Sequence, residues 1–455
     1  MSTAAVAPET RPPLWKAFLV FLGPMMLSNI LQAMSGTINN VYLGQMLGVK
    51  ALASVSAFFP VLFFFISFLI GLGAGASVLI GQAWGAREYD RVKAIAGTTL
   101  TVGISAGLVV AVFGGALTGP MLTLLGTPAD ILPGATTYAR IMLIATPGIF
   151  VFLLATSMMR GVSDTLTPLL TLLMSTVIGL VLTPALIRGW GGLPMMGIAS
   201  GAWASVASYA VALLWLGWYM LRRKHPLAPD AVFLRHMKID RAILAKVLRI
   251  GLPTGVQMIT MSVSEVAVLF MVNGFGSNAT AAYGAVNQVV AYVQFPAISI
   301  AITASILGAQ AIGAGRANSL GAIARTGILM NLFITGSLVV LAYLFSRTII
   351  GFFITSAPVV EVAQTLLHIM LWSSIIFGMS AVLSGLMRAS GSVLVPTAIS
   401  MFAILAVEVP VAWGMSHRIG LNGIWVAYPV AFLAMLALQT SYYRLVWRKR
   451  PIRRL

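Results

Sequence analysis

Two carboxylates sit where a lipid bilayer tolerates charge least. Of the ten acidic residues in the chain, only Glu265 and Glu408 fall well inside long apolar runs. A carboxylate at the centre of a membrane costs roughly 2.5–3.5 kcal/mol on insertion scales, so such a group is expected to face a cavity and to be retained for work. Gln257, Met261 and Glu265 repeat at i, i+4 and i+8 and therefore share one helix face, with Met258 and Ser264 at its flank. In the following run Tyr283, Asn287 and Gln294 share another face. Together they offer carboxylate, amide and hydroxyl groups to a proton, a sodium ion (at Glu265) or a cationic substrate. The plainer reading, a polar contact between helices satisfied internally, stays open, and more so for Glu408, where Pro410 frees a backbone carbonyl nearby.

The other half of the chain supplies polar groups without an acid: Asn29, Gln32, Asn39 and Asn40. Behind them come Phe58, Phe59, Phe63, Phe64, Phe65 and Phe68, which either form an aromatic wall or face lipid. A cavity lined by aromatic rings and some of the 24 methionines suits lipophilic ligands of varied shape. Asp164, four residues after Arg160, is expected to pair with it. Glu361, after Pro358, suits the positive end of a helix.

Enzyme chemistry finds little to use. None of the four histidines is paired at ligand spacing, no HExxH occurs, and without cysteine there are no thiolate metal sites or disulfides. The stretch GLGAGAS lacks the lysine of a phosphate loop, so Gly71 and Gly75 read as small residues that let helices approach. The chain is expected to be no enzyme, to bind no metal beyond a coupling sodium, and to need no cofactor besides a coupling H+ or Na+.

The elements that position these residues follow from composition. Hydrophobic residues make up 59% of the 455 and charged residues 8%, with a mean hydropathy of +0.97, which no soluble domain of this length requires. Twelve apolar runs are long enough to cross about 30 Å of hydrocarbon as helices. They lie at about 16–38, 51–82, 95–118, 136–158, 166–188, 195–221, 250–272, 280–312, 323–346, 360–386, 393–415 and 421–445. The short alternating segments of a β-barrel are missing. Arg160 and Pro168 recur as Arg388 and Pro396, and Gln82 and Gly85 as Gln310 and Gly313, always 228 residues on. The chain is therefore two copies of one six-helix unit, which in a membrane places a site between the copies.

Net charge is +18, but the basic residues follow the membrane topology and give no reason to invoke nucleic acid. With both termini inside, 23 of the 28 lysines and arginines fall on the inner side, leaving Lys50, Arg140, Arg188, Arg347 and Arg418 outside. The expected organisation is a cytoplasmic tail (1–15), a first bundle (16–221), a cytoplasmic linker (222–249), a second bundle (250–445) and a basic cytoplasmic tail (446–455). The linker is expected to end in a short amphipathic surface helix capped by Asp240, and the basic tail to rest on anionic headgroups.

The stretches VYLGQMLGVKALASVSAFFPV, GQAWGA, MRGVSDTLTP, GLPTGVQM, NGFGSNATAAYGAVNQ, AQAIGAGR and LMRASGSVLVP resemble the multidrug and toxic compound extrusion (MATE) family over about residues 16–445. The resemblance implies a V-shaped pair of six-helix bundles in a bacterial inner membrane. It also implies a proton- or sodium-driven antiporter that expels organic cations or lipophilic drugs, working as a monomer. Asn39 stands where many bacterial members carry an aspartate, and Gly179 and Thr183 stand where they often have an Asn and an Asp. No acid lies between Glu361 and Glu408, although some relatives have one in helix 10. Glu265 lies about one turn further from Gly251-Leu252-Pro253 than the family's helix-7 glutamate. The chemistry then rests on Glu265, with Glu408 beside it. Competing readings are a flippase for a polyprenyl-linked or other lipid, an uncoupled facilitator or sensor, and an intramembrane enzyme.

Overall fold

In hydrocarbon every backbone N–H and C=O must bond within its own segment, so an apolar chain of this length folds as helices. The computed structural model describes residues 12–455, and the first eleven residues of the expected N-terminal tail lie outside that range. Among the described residues there is no β-strand. Ten helices are long and apolar enough to span a membrane, and two bent pairs complete a set of twelve. The first half comprises α1 (Leu14–Leu47), α2 (Val49–Gly85), α3 (Tyr89–Gly114), α4 (Leu132–Ile144 and Thr146–Gly161), α5 (Leu166–Arg188) and α6 (Ala199–Arg223). The second comprises α7 (Arg241–Asn273), α8 (Ser277–Gly313), α9 (Ala317–Leu344), α10 (Ala357–Met370 and Ser373–Ala389), α11 (Leu394–Ile419) and α12 (Leu421–Lys449).

The duplication is visible in geometry as well as in sequence. Bends of 56° in α4 and 42° in α10 fall at equivalent places. Three turn positions adopt positive φ in both halves, each pair 228 residues apart: Gly48 and Gly276 (95° and 102°), Arg87 and Gly315 (60° and 73°), Ser163 and Gly391 (65° and 81°). A side chain at left-handed φ costs roughly 1–2 kcal/mol, which the second half avoids with glycine at all three positions. Arg87→Gly is therefore expected to raise the apparent melting temperature in detergent, by an amount corresponding to about 1 kcal/mol. A fall in Tm would show that the Arg87 side chain outweighs its backbone strain.

Several expectations need correction. Helices α1, α2 and α8 run to 34, 37 and 37 residues, or about 50–55 Å at ~1.5 Å per residue, so their ends project beyond the hydrocarbon. The stretch after Asp240 is no separate surface helix. Asp240 Oδ1 accepts from the Ala242 and Ile243 amides at 2.9 and 3.3 Å, capping α7 itself, which then runs unbroken into the membrane. Glu361 is the fifth residue of its helix and lies past the first turn.

The basic tail does not lie free on headgroups either. Trp447 is buried, stacks on Tyr443 and donates to Ser390 Oγ at 2.9 Å. Arg454 pairs with Glu88, and the Leu455 amide donates to Gln82 Oε1 at 2.8 Å. The bond from Arg454 holds the Glu88 carboxyl below the usual carboxylate range. Apolar Trp447, Ile452 and Leu455 explain the docking, because they join the core at this end of the molecule.

Core composition gives the overall shape. Two clusters mix both halves, a large one with Leu72, Ile80 and Leu154 beside Ile300, Ala309 and Leu386, and a small one of Phe21 and Met25 with Ile306. Two further clusters are separate. One draws only on the first half around Phe58, Tyr138 and Met142, the other only on the second around Val268, Tyr283 and Trp425. The bundles thus meet at the face bearing the linker and the C-terminal tail, called the basic face below, and diverge toward the opposite face.

Candidate functional site

Glycines bring the bundles together at the basic face. A Cβ on Gly71 would strike the Gly251 carbonyl of α7, and one on Gly75 the Val247 carbonyl, as expected for residues that permit close helix packing. Deeper toward the basic face, two glutamines exchange bonds across the junction. Gln82 Nε2 donates to the Ala389 carbonyl at 2.8 Å, and Gln310 Nε2 to the Gly161 carbonyl at 3.0 Å. Donors and acceptors are each related by 228 residues, so one contact is made twice, and each glutamine caps the opposite bundle's bent helix. Gly85 and Gly313 sit directly against the Gln310 and Gln82 carbonyls. Hydrogen bonds between the bundles occur only here and near mid-span, where Asn29 Nδ2 donates to Ser299 Oγ at 2.9 Å, among the described residues.

Where the bundles begin to diverge lies a cavity of about 490 Å³ with walls from both halves. Gln32, Gln257 and Met261 line it, as the sequence predicts, together with Asn29 and Met258. The six phenylalanines of α2 do not. Phe58 packs inside the first bundle on Tyr138, Phe59 and Phe64 are exposed, and α2 presents Leu62, Ile66 and Ile70 to the cavity instead. The cavity's aromatic rings come from Phe152, Tyr209 and Phe377. Asn39 lines a second space of about 200 Å³ within the first bundle, with Gln32, Thr183 and Ser208, where Thr183 Oγ1 donates to its Oδ1 at 3.4 Å. No charged residue lines that space. Asn40 lines neither cavity and is exposed.

The acids form a cluster in the second bundle, on the side of the cavity away from the basic face. Glu408 is buried and accepts from Ser264 Oγ at 3.1 Å. It ends a π-helical stretch, Ala403–Glu408, just before Pro410, the local rearrangement that a proline at this position suggests. Glu265 is exposed and lies within electrostatic reach of Glu408 and Tyr283. Helix geometry places it on the stripe of Met258 and Met261, one turn beyond Met261, and away from the lipid-facing row of Leu252, Val256, Val263 and Phe270. Tyr283 and Tyr428 share a hydrogen bond at 2.9 Å, and Trp425 stacks on Tyr283 with ring centres 5.8 Å apart; Asn287 lies one helical turn from Tyr283. Gln294, on the same helix, is half-buried and makes no hydrogen bond to this cluster. Sequence reasoning missed Tyr428. The signal was the stripe Trp425, Tyr428, Phe432 and Met435 at i, i+3, i+7 and i+10 along α12.

The expected Arg160–Asp164 pair does not form. Asp164 Oδ2 meets His225 Nε2 at 2.9 Å and Thr167 Oγ1 at 2.5 Å, because both partners lie at the same membrane-edge turn. Partial burial pushes the Asp164 carboxyl up, but the bonds from His225 and Thr167 outweigh it and hold the group below its usual range. A carboxyl with a depressed folded value stabilises above the unfolded value of about 4 and loses that contribution as pH falls through the folded value. Asp164→Asn should lower Tm at pH 7 by an amount corresponding to roughly 1 kcal/mol, with the difference from wild type shrinking below pH 4. A deficit that stays constant down to pH 3 would refute the pairing. Arg160, released from that role, lines the central cavity, and so does Arg388. Arg140, which lies within the apolar run 136–158 by sequence, is instead exposed and bonds the Gly115 carbonyl at 3.2 Å.

Comparison with known proteins agrees with this geometry. The MatE family model matches residues 24–185 and again 253–413, once in each bundle. The probable multidrug resistance protein YoeA of Bacillus subtilis (strain 168) is 46% identical over 98% of this chain and 97% of its own. The multidrug export protein MepA of Staphylococcus aureus (strain MSSA476) is 23% identical over 96% and 95%. A solved outward-facing multidrug resistance MATE family transporter of the MOP superfamily superposes with a TM-score of 0.88 at 21% identity, covering 98% of each chain. Twelve helices in two repeated bundles, a cavity walled by both and a family match that falls once on each make this chain a membrane transporter of the MatE family.

Proposed function

We propose that the chain is a secondary antiporter of a bacterial inner membrane that exports lipophilic organic compounds in exchange for protons or sodium ions. The basic face is the cytoplasmic one under the positive-inside rule, so the form described is closed inward and open outward. Substrate occupies the central cavity, and the coupling ion binds at Glu265 and Glu408, assisted by Ser264, Tyr283 and Asn287. The observation that supports this reading is the clustering of two membrane-embedded acids in the second bundle, Glu408 bonded by Ser264 and Glu265 one helical turn beyond Met261, which itself lines the cavity shared by the two bundles. The first bundle's polar space holds Asn39 and no acid, which supports a coupling site in the second bundle.

Ion binding favours one arrangement of the two bundles and substrate the other, so the cleft opens alternately to the two sides. One charge crossing 100 mV supplies roughly 2.3 kcal/mol, enough for about a 50-fold concentration gradient. Both bundles and the whole site belong to one chain, so a monomer suffices. Dye efflux from proteoliposomes, with the proton and sodium gradients collapsed one at a time, tests the reading. Efflux should stop with one of them. Efflux that persists with both collapsed would leave an uncoupled facilitator.

A further inference from the structure

The charge of the central cavity runs against a cationic cargo. Its wall carries two formal charges, Arg160 and Arg388, and no aspartate or glutamate. These arginines are related by the 228-residue repeat, so the bundles contribute one guanidinium each. Neither side chain makes a hydrogen bond, an ion pair or a stacked ring contact among the described residues, and Arg388 Nε is buried without a partner. Two further polar atoms on the wall, Gln257 Oε1 and Ser380 Oγ, are also buried and unpartnered. A desolvated guanidinium without a counter-charge is costly, and its planar fork of donors matches the oxygens of a carboxylate, sulfonate or phosphate. Beyond the arginines the walls are apolar, with Leu62, Ile66, Met258, Met261 and Phe377.

We propose that the cavity's ligand is an amphipathic oxyanion, its acidic head between Arg160 and Arg388 and its apolar body along those side chains. The head supplies the counter-charge that the protein omits, while methionines and aliphatic side chains accept bodies of differing shape. The proposal rests on the transport reading for its biological sense, but its test needs no gradient. Failure of binding selectivity leaves ion-coupled export standing, and loss of coupling leaves the binding preference intact.

Binding of 1-pyrenebutyrate and of a matched pyrenebutyl-trimethylammonium probe to the full chain, in phosphatidylcholine nanodiscs, provides the test. Wild type is expected to bind the anion at least tenfold more tightly. Arg160→Gln with Arg388→Gln should abolish that preference without weakening the cation. If the double variant does not fold, the single variants Arg160→Lys and Arg388→Lys replace it, and each should weaken the anion severalfold, because a lysine keeps the charge and loses the fork. Repeating the titration in phosphatidylglycerol nanodiscs separates the two sources of such a head. Competition there points to a lipid headgroup, and unchanged affinity to a soluble amphipath. Equal or tighter binding of the cation by wild type would overturn the proposal, as would an anion preference that survives loss of both arginines.

Discussion

Glu265→Gln is expected to abolish gradient-driven export while leaving the protein folded, and Glu408→Gln to do the same with a larger loss of stability. Glutamine keeps the shape and hydrogen-bonding capacity of either side chain and removes only its ability to take up a proton or hold a cation. At Glu265, exposed on the cleft stripe, little else should change. At Glu408, which is buried, the Ser264 bond of 3.1 Å has to re-form to an amide oxygen while the amide NH2 lacks a ready partner. Both variants should still equilibrate substrate downhill, because the cavity and its walls are untouched. Uphill efflux in proteoliposomes should fall by at least tenfold, with downhill exchange within a factor of two of wild type. Equal loss of both activities would place these acids in substrate binding or folding instead.

Gly313→Val is the second large expectation, and it concerns the gate. The Gly313 Cα lies against the Gln82 carbonyl, leaving no space for a side chain, and a β-branched residue there has to push α2 and α8 apart. That separation also breaks the bonds from Gln82 to Ala389 and from Gln310 to Gly161. Leaving such groups unpaired costs roughly 1–3 kcal/mol each, so the closed arrangement of the basic face should lose about a hundredfold in population. The chain contains no cysteine, so labels at Asp90→Cys and Asn318→Cys, two exposed positions 228 residues apart, report this distance alone. Gly313→Val should lengthen it and reduce transport by tenfold or more. An unchanged distance would remove the glycine–glutamine junction from the gating mechanism.

Much of this architecture is legible in the sequence, because membrane helices follow from hydropathy and the repeat from a constant offset. Arg160, Pro168, Gln82 and Gly85 with their partners reveal the duplication, and the same four landmarks mark the junction and the cavity floor. Residue pairing is less legible. Asp164 lies one helical turn from Arg160 in sequence and was expected to neutralise it, but the chain turns at Ser163, with φ of 65°, and presents Asp164 to His225. Sequence spacing predicts neighbours on a continuous helix, and a left-handed turn breaks the rule. The aromatic wall failed for a related reason. Six phenylalanines on α2 are too many for one face, and the cavity receives the aliphatic residues between them. Glu408 and Tyr428 are far apart in sequence from Ser264 and Tyr283, so only the folded bundle joins them.

Charge movement on a solid-supported membrane tests the coupling claim most directly, because it needs no knowledge of the cargo. Proteoliposomes bearing the wild-type chain are exposed in turn to a proton jump and to a sodium jump. One of the two should evoke a transient current, and that current should vanish in Glu265→Gln. A wild-type current of undiminished size in Glu265→Gln would contradict the account.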